Sequence, residues 1–215
     1  MKRKKYDVVL FDMDGTLVDS DPMVLGTMNV LYDKYRGGVR TPPEKVVYFS
    51  GPPIRDTLHN EVPDLDNDFI FEQFAIESEK LYATHIFNYP HSKEVLLRLK
   101  EQGFKLGIVT NKVHRLTEYC LECVDLTGIF DCIVGFDEVV HCKPDREGMD
   151  KAMAYFGSTK ERTLYFGDNA LDLQTARNAG VDCALVKWGP RVLPADVIPE
   201  YWVKSYLDLE GILYE

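Results

Sequence analysis

Two aspartates one residue apart, Asp12 and Asp14, close the apolar run Val8-Val9-Leu10-Phe11 and lead into Gly15-Thr16. Carboxylates this close repel each other, and a cation or a proton has to stand between them. Asp-Gly is also what an ordinary turn selects, so the rest of the chain must decide between a turn and a site. Three more polar clusters bear on that choice. Thr110-Asn111 ends the apolar run at 104–109, Lys143 stands before a proline, and Asp168 ends the run at 163–167, with Asp172 four residues on. Acids, one hydroxyl and one lysine form the set that magnesium-assisted phosphoryl transfer requires. Mg²⁺ takes carboxylate and phosphate oxygens and usually keeps several waters. A lysine and hydroxyl donors neutralise charge developing on the transferring phosphoryl group, and a free carboxylate can serve as the nucleophile.

These residues need elements that bring them together. A short apolar run bounded by turn residues reads as a buried strand. The strands beginning near residues 6, 104 and 163 each end in one of the polar clusters. In a parallel sheet all three ends fall along one edge, where ligands of open α/β sheets bind. Further strands are expected at 131–135 and 181–186. Helices are expected from Ser92 to Gly103, from about Val113 to Cys123, from Lys143-Pro144-Asp145 to Phe156, at 170–179 and at 207–213. Strands alternating with helices of this length imply βαβ units. Asp172 near a helix start sits close to Asp168, with a partner for the helix dipole as the alternative reading of it.

Between Ser20 and Asn88 the pattern is helical and contains no expected strand. A helix opens at Asp19-Ser20-Asp21-Pro22 and stops at Gly37-Gly38. A shorter one opens at Pro42-Pro43-Glu44, a helical turn covers Ile54 to His59, and Asp66 to His85 reads as one long helix. The expected fold is therefore α/β. Residues 1–18 and 89–215 form a Rossmann-like doubly wound parallel sheet, and residues 19–88 form an inserted α-helical cap.

Composition narrows the partners. The chain has 215 residues and a formal net charge of −10, which argues against a nucleic-acid binder needing a basic face. No apolar run approaches a bilayer-spanning length. The basic start Met1-Lys2-Arg3-Lys4-Lys5 is followed by a short apolar run broken by Asp12 and Asp14. It is not a signal peptide and reads as a solvated lead-in to the first strand. Five cysteines without a secretion signal suggest reduced thiols and a cytoplasmic location. Cys120 and Cys123 form a C-x-x-C without a second pair, which reads as idle thiols.

On these residues the chain resembles the haloacid dehalogenase superfamily over nearly its whole length, and within it the phosphoglycolate phosphatase and pyrophosphatase-like hydrolases with a helical cap. Asp12-Met13-Asp14-Gly15-Thr16 resembles the family's first motif and Ile108-Val109-Thr110-Asn111 the second. Lys143-Pro144 resembles the third, and Gly167-Asp168-Asn169-Ala170-Leu171-Asp172 the fourth. Ser50 to Leu58 resembles a cap segment of the same branch. The family often shows Lys-Pro-x-Pro where this chain has Lys143-Pro144-Asp145-Arg146, a difference in how the next helix starts that leaves Lys143 intact.

The resemblance implies a Mg²⁺-dependent phosphatase that hydrolyses a small, phosphoglycolate-like phosphomonoester through an aspartyl-phosphate. It implies attack by Asp12, with Asp14 protonating the leaving group and then activating water. It implies Mg²⁺ held by Asp12, the Asp14 main-chain carbonyl and Asp168, with Asp172 acting through water or a hydrogen bond. Phosphoryl oxygens fall to Thr110, Asn111 and Lys143, and Arg55 is the cap cation expected to meet substrate charge. Hydrolysis of inorganic pyrophosphate and a phosphosugar mutase are alternatives on the same core, and a non-catalytic phosphate-binding protein is the alternative from another class.

Overall fold

Strand β1 (Val8–Phe11) runs through the middle of a six-stranded sheet and is buried along its whole length. The computed structural model describes residues 3–215. Because side chains alternate across a strand, β1 feeds two cores. Val9 and Phe11 pack on one face of the sheet, Val8 and Leu10 on the other. Phe11 stacks on Phe166 of a neighbouring strand with ring centroids 5.2 Å apart. A strand apolar on both faces has to lie inside a covered parallel sheet, and it does.

After β1 the chain makes the two-residue strand β2 (Val18–Asp19) and enters the helical block. The block contains α1 (Asp21–Tyr35), α2 (Pro43–Val46), α3 (Ile54–Glu61), α4 (Asn67–Glu79) and α5 (Tyr82–His85). It returns through β3 (Phe87–Asn88), which pairs antiparallel with β2. The alternating part follows as α6 (Ser92–Glu101), β4 (Lys105–Val109), α7 (His114–Cys123), β5 (Cys132–Val134), α8 (Glu147–Phe156) and β6 (Thr163–Gly167). It ends with α9 (Ala170–Ala179), β7 (Asp182–Val186), β8 (Tyr201–Val203) and α10 (Leu209–Ile212). The sheet order is β5-β4-β1-β6-β7-β8, with every pairing parallel. From β1 the chain builds outward to β4 and β5, then crosses back to β6. The order therefore reverses between β1 and β6, where a crevice opens at the strands' C-terminal ends.

Several elements differ from the sequence expectation. The β2–β3 ladder and the edge strand β8 carry too few residues for a periodic signal. The expected helix from Asp66 to His85 is two helices, because the chain tightens at Lys80-Leu81, where the Leu81 N–H bonds the Ser78 carbonyl at 2.8 Å. Helix α8 starts at Glu147, four residues later than expected, and Asp145 caps its first N–H at 2.8 Å. That frees Lys143-Pro144, joined by a cis peptide bond, to run as a loop along the sheet edge. His91 rather than Ser92 is the cap residue of α6.

Met1 and Lys2 of the basic lead-in lie outside the described residues. The remainder is not simply solvated. Lys4 bridges to Tyr214, the Lys5 N–H bonds the Leu213 carbonyl at 2.9 Å, and Tyr6 is fully buried. All five cysteines are free thiols. Among the described residues no helix is long and apolar enough to cross a membrane.

Candidate active site

Asp12 is the first residue beyond β1, and its main-chain N–H bonds the Phe166 carbonyl at 2.8 Å. The sheet thus fixes where its carboxylate stands. The side chain is 2% exposed, and its Oδ1 lies 2.9 Å from the Lys143 ammonium. The same ammonium reaches Asp172 Oδ1 at 2.7 Å and the Tyr165 hydroxyl at 3.1 Å. Asp172 spends its other oxygen on the main-chain N–H groups of Asp168 and Asn169, at 3.0 and 3.2 Å. Gly167 permits this, since a Cβ there would stand 2.2 Å from the Asp172 Cβ. Lys143 is therefore held at three points, beside an Asp12 whose second oxygen accepts no hydrogen bond from the described residues.

Asp14 has a different environment. Lys112, two residues beyond Thr110, donates to both of its carboxylate oxygens at 2.9 Å. The Thr110 hydroxyl accepts the Lys112 N–H at 3.2 Å, which leaves its own proton free to donate. The main-chain N–H groups of Met13, Asp14 and Asn111 have no acceptor among the described residues. Unpaired donors of this kind at a strand end suit an anion.

On the far side, Asp168 accepts from Arg191 at 2.5 Å and from the Asn169 amide at 3.1 Å. Arg191 also reaches Asp21 of α1 at 2.8 Å, so an ion chain runs from the sheet into the helical block. Gly15, at φ +81°, passes so close that a Cβ would lie 2.2 Å from Asp168 Oδ2.

The charges do not balance. Asp12, Asp14, Asp21, Asp168 and Asp172 meet only Lys112, Lys143 and Arg191 in this ion-paired cluster. With all five carboxylates ionised two negative charges remain, the complement of one divalent cation. Burial pushes the Asp12 carboxyl up to about 6 against the pull of Lys143. Burial likewise drives Asp168 well above the carboxylate range despite Arg191, with Asp172 and Asp12 adding to the rise. For Asp14 burial is the largest single influence and works upward too, but the Lys112 charge and hydrogen bonds, the Ser20 hydroxyl and the Arg191 charge together outweigh it and hold the carboxyl below its ordinary value. One oxygen each from Asp12, Asp168 and Asp172 lies within 4.8 Å of the others, and all three side chains are buried. This donor set is hard oxygen only, which suits Mg²⁺ rather than a softer metal.

Above Asp12 and Asp14 opens a cavity of about 310 Å³. Thr110, Asn111 and Lys112 share its floor, and side chains of the helical block form its walls together with Val113, Leu116, Phe136 and Asp137.

Comparison with known proteins places this arrangement. The pattern of the haloacid dehalogenase-like hydrolases matches residues 9–186. The chain belongs to that family. A pyrophosphatase PpaX from Halalkalibacterium halodurans is 32% identical over 216 residues, covering 97% of each chain. A second PpaX, from Anoxybacillus flavithermus, is 31% identical over 209 residues and 96% of each chain. Among solved structures, that of a predicted phosphoglycolate phosphatase from Haemophilus somnus superposes with a TM-score of 0.89 at 22% identity, covering 97% of this chain and 98% of that one. The chain is thus an enzyme, a haloacid dehalogenase-like hydrolase of the phosphatase type. The family generally uses a metal ion and acts on phosphorylated substrates.

Of the residues singled out in the sequence, Asp12, Asp14, Thr110, Lys143, Asp168 and Asp172 converge on this one edge. Two fit their expected roles less directly. The Asn111 amide donates to the Gly51 carbonyl at 3.0 Å, and its oxygen accepts the Lys143 N–H at 3.0 Å. The side chain is thus occupied in bracing the Lys143 loop, and only its main-chain N–H is left for an anion. Arg55 lines the cavity, but its guanidinium is paired with Asp68 and lies 4.0 Å over the Phe71 ring.

Sequence reasoning missed Lys112, Arg191, Asp21 and Tyr165. Lys112 directly follows the Thr110-Asn111 pair, and a lysine at the end of a buried strand was its available signal. Asp21 read only as a helix start. Arg191 sits in a loop without a motif, and Tyr165 looks like any aromatic residue inside a strand.

Proposed function

We propose that the enzyme hydrolyses phosphomonoesters with Mg²⁺, through a phosphoryl group carried transiently on Asp12. The observation that supports this most strongly is the unshared Asp12 oxygen at the cavity floor, beside a lysine already fixed by Asp172. In the first step that oxygen forms a bond to phosphorus as the bond to the leaving oxygen breaks. Lys143 and the Thr110 hydroxyl bind the phosphoryl oxygens, together with the free N–H groups of Met13, Asp14 and Asn111.

Asp14 supplies the proton to the leaving oxygen and takes one back from the water that hydrolyses the acyl phosphate. Lys112 favours the ionised form of Asp14, the form needed in the second step. Asp12, Asp168 and the Asp14 main-chain carbonyl would hold Mg²⁺, which when bound supplies Lewis-acid neutralisation of the phosphoryl charge. Asp172 contributes by holding Lys143 and the Asp168 loop.

We assign residues 19–88 the role of a cap that closes over the substrate. The β2–β3 ladder stands at both of its junctions, and the Arg191–Asp21 pair ties it to the sheet. Structures that coincide with and without a bound phosphate analogue would count against closure.

Pyrophosphate hydrolysis is a second reading, favoured by the relatives named pyrophosphatase. Phosphate release from a panel containing phosphoglycolate and pyrophosphate, with Mg²⁺ present, separates the two readings by their relative turnover. Asp12→Asn should abolish release from every substrate, and retained release would overturn the nucleophile assignment.

A further inference from the structure

We infer that the leaving group of the natural substrate is an uncharged, largely apolar alcohol, a ring or a branched chain, and neither a second phosphate nor a carboxylate. This rests on the phosphomonoesterase reading above and concerns the half of the substrate that the sheet edge does not touch.

The cavity over Asp12 and Asp14 is walled mainly by Met23, Val24, Phe49, Phe71, Phe74 and Phe136. Phe49 and Phe71 are only half-buried, so their rings keep free surface for a ligand to cover. A leaving group bearing its own anionic charge needs a cation in reach, since an unpaired charge brought into an apolar enclosure is strongly unfavourable. Among the described residues the cavity is lined by two cations, Arg55 and Lys112. Both are already partnered. Lys112 gives two hydrogen bonds to Asp14. Arg55 pairs with Asp68 while its guanidinium lies over the Phe71 ring.

Asp137 adds a further carboxylate to the lining. Lys143 and the metal ligands Asp12 and Asp168 serve the transferring phosphoryl group, at the opposite end from these walls. The volume of about 310 Å³ is at the lower end of small-molecule sites. The site is therefore polar where phosphorus sits and apolar where the alcohol sits.

The test measures kcat/KM with Mg²⁺ for methyl, propyl, isobutyl and benzyl phosphate beside phosphoglycolate and pyrophosphate. Alkyl and benzyl esters are chosen because their alcohols differ little in acidity, so a trend reports contact rather than intrinsic reactivity. The expected result is a rise of about fourfold for each methylene buried, carried by KM, with benzyl phosphate above both anionic substrates. Phe71→Arg should then lower kcat/KM for benzyl phosphate at least about tenfold through KM and raise that for pyrophosphate.

A flat alkyl series, or pyrophosphate or phosphoglycolate ahead of benzyl phosphate, overturns the inference and leaves the phosphatase reading standing. Release from none of the substrates by the folded enzyme overturns both. A Phe71→Arg protein that loses activity equally on every substrate also counts against the inference, since it shows a general rather than a leaving-group role.

Discussion

The floor and the walls of the cavity are built on opposite principles. The floor comes from the ends of β1 and β4, backed by the ion-paired groups at the end of β6, and these side chains are mostly charged, buried and bonded to one another. The walls come from the helical block, the start of α7 and the turn after β5 that carries Phe136, and they are mainly rings and aliphatic chains with room left between them. Strands inside a parallel sheet are held by main-chain bonds on both sides, as β1 is by β4 and β6. A group placed at their ends cannot drift. The helical block is joined to that sheet by a two-residue main-chain ladder and by side-chain ties, Arg191 to Asp21 and Asn111 to Gly51, rather than by main-chain bonds along its length. On the proposed function, the contrast would separate chemistry, assigned to the sheet edge, from selectivity, assigned to the inserted helices.

Breaking the floor should cost far more than trimming a wall. The largest effect is expected for Asp12→Asn, a loss of about a thousandfold or more in phosphate release, with the far-UV spectrum unchanged because the shape is kept. Lys143→Met comes next. It leaves Asp12 and Asp172 buried without their shared cation, and uncompensated buried charge costs about 3–5 kcal/mol, read as a lower urea midpoint.

Lys112→Met is milder and shows in the pH dependence. Burial raises the Asp14 carboxyl, and Lys112, with help from Ser20 and Arg191, brings it below its ordinary value. The stabilisation from this pair is present above the unfolded carboxylate value and is lost as pH falls through the lowered one. Without Lys112, burial prevails and Asp14 takes up its proton at higher pH. The acid-unfolding midpoint of Lys112→Met should therefore move to higher pH. The smallest effect belongs to a wall. Phe74→Leu should cost about 1 kcal/mol of stability and change KM more than kcat.

Much of the floor was legible because strand ends and acidic clusters coincide in the sequence. Asp12, Thr110 and Asp168 each follow an apolar run, so a parallel sheet brings them together whatever the details of its loops. Lys143 was found by its place before a proline, although the helix it was expected to start begins at Glu147 instead. The partners that balance charge were not legible. Arg191 reaches Asp168 across 23 positions and Asp21 across 170, and no local pattern encodes such a contact. The occupied state of Asn111 was hidden for the same reason, since Gly51 is 60 positions away, and that of Arg55 because its partners Asp68 and Phe71 lie on the next helix, outside any local pattern. The β2–β3 ladder escaped notice because two residues show no period.

The most direct measurement is chemical trapping of the phosphoryl carrier. Enzyme turning over a phosphomonoester with Mg²⁺ is acid-quenched and treated with borohydride, which reduces an aspartyl phosphate to homoserine, and the modified position is located by peptide mass spectrometry. The account predicts homoserine at position 12 in the native enzyme and at no position in Asp12→Asn. Steady phosphate release with position 12 left as unmodified aspartate, or reduction at another carboxylate, would contradict it.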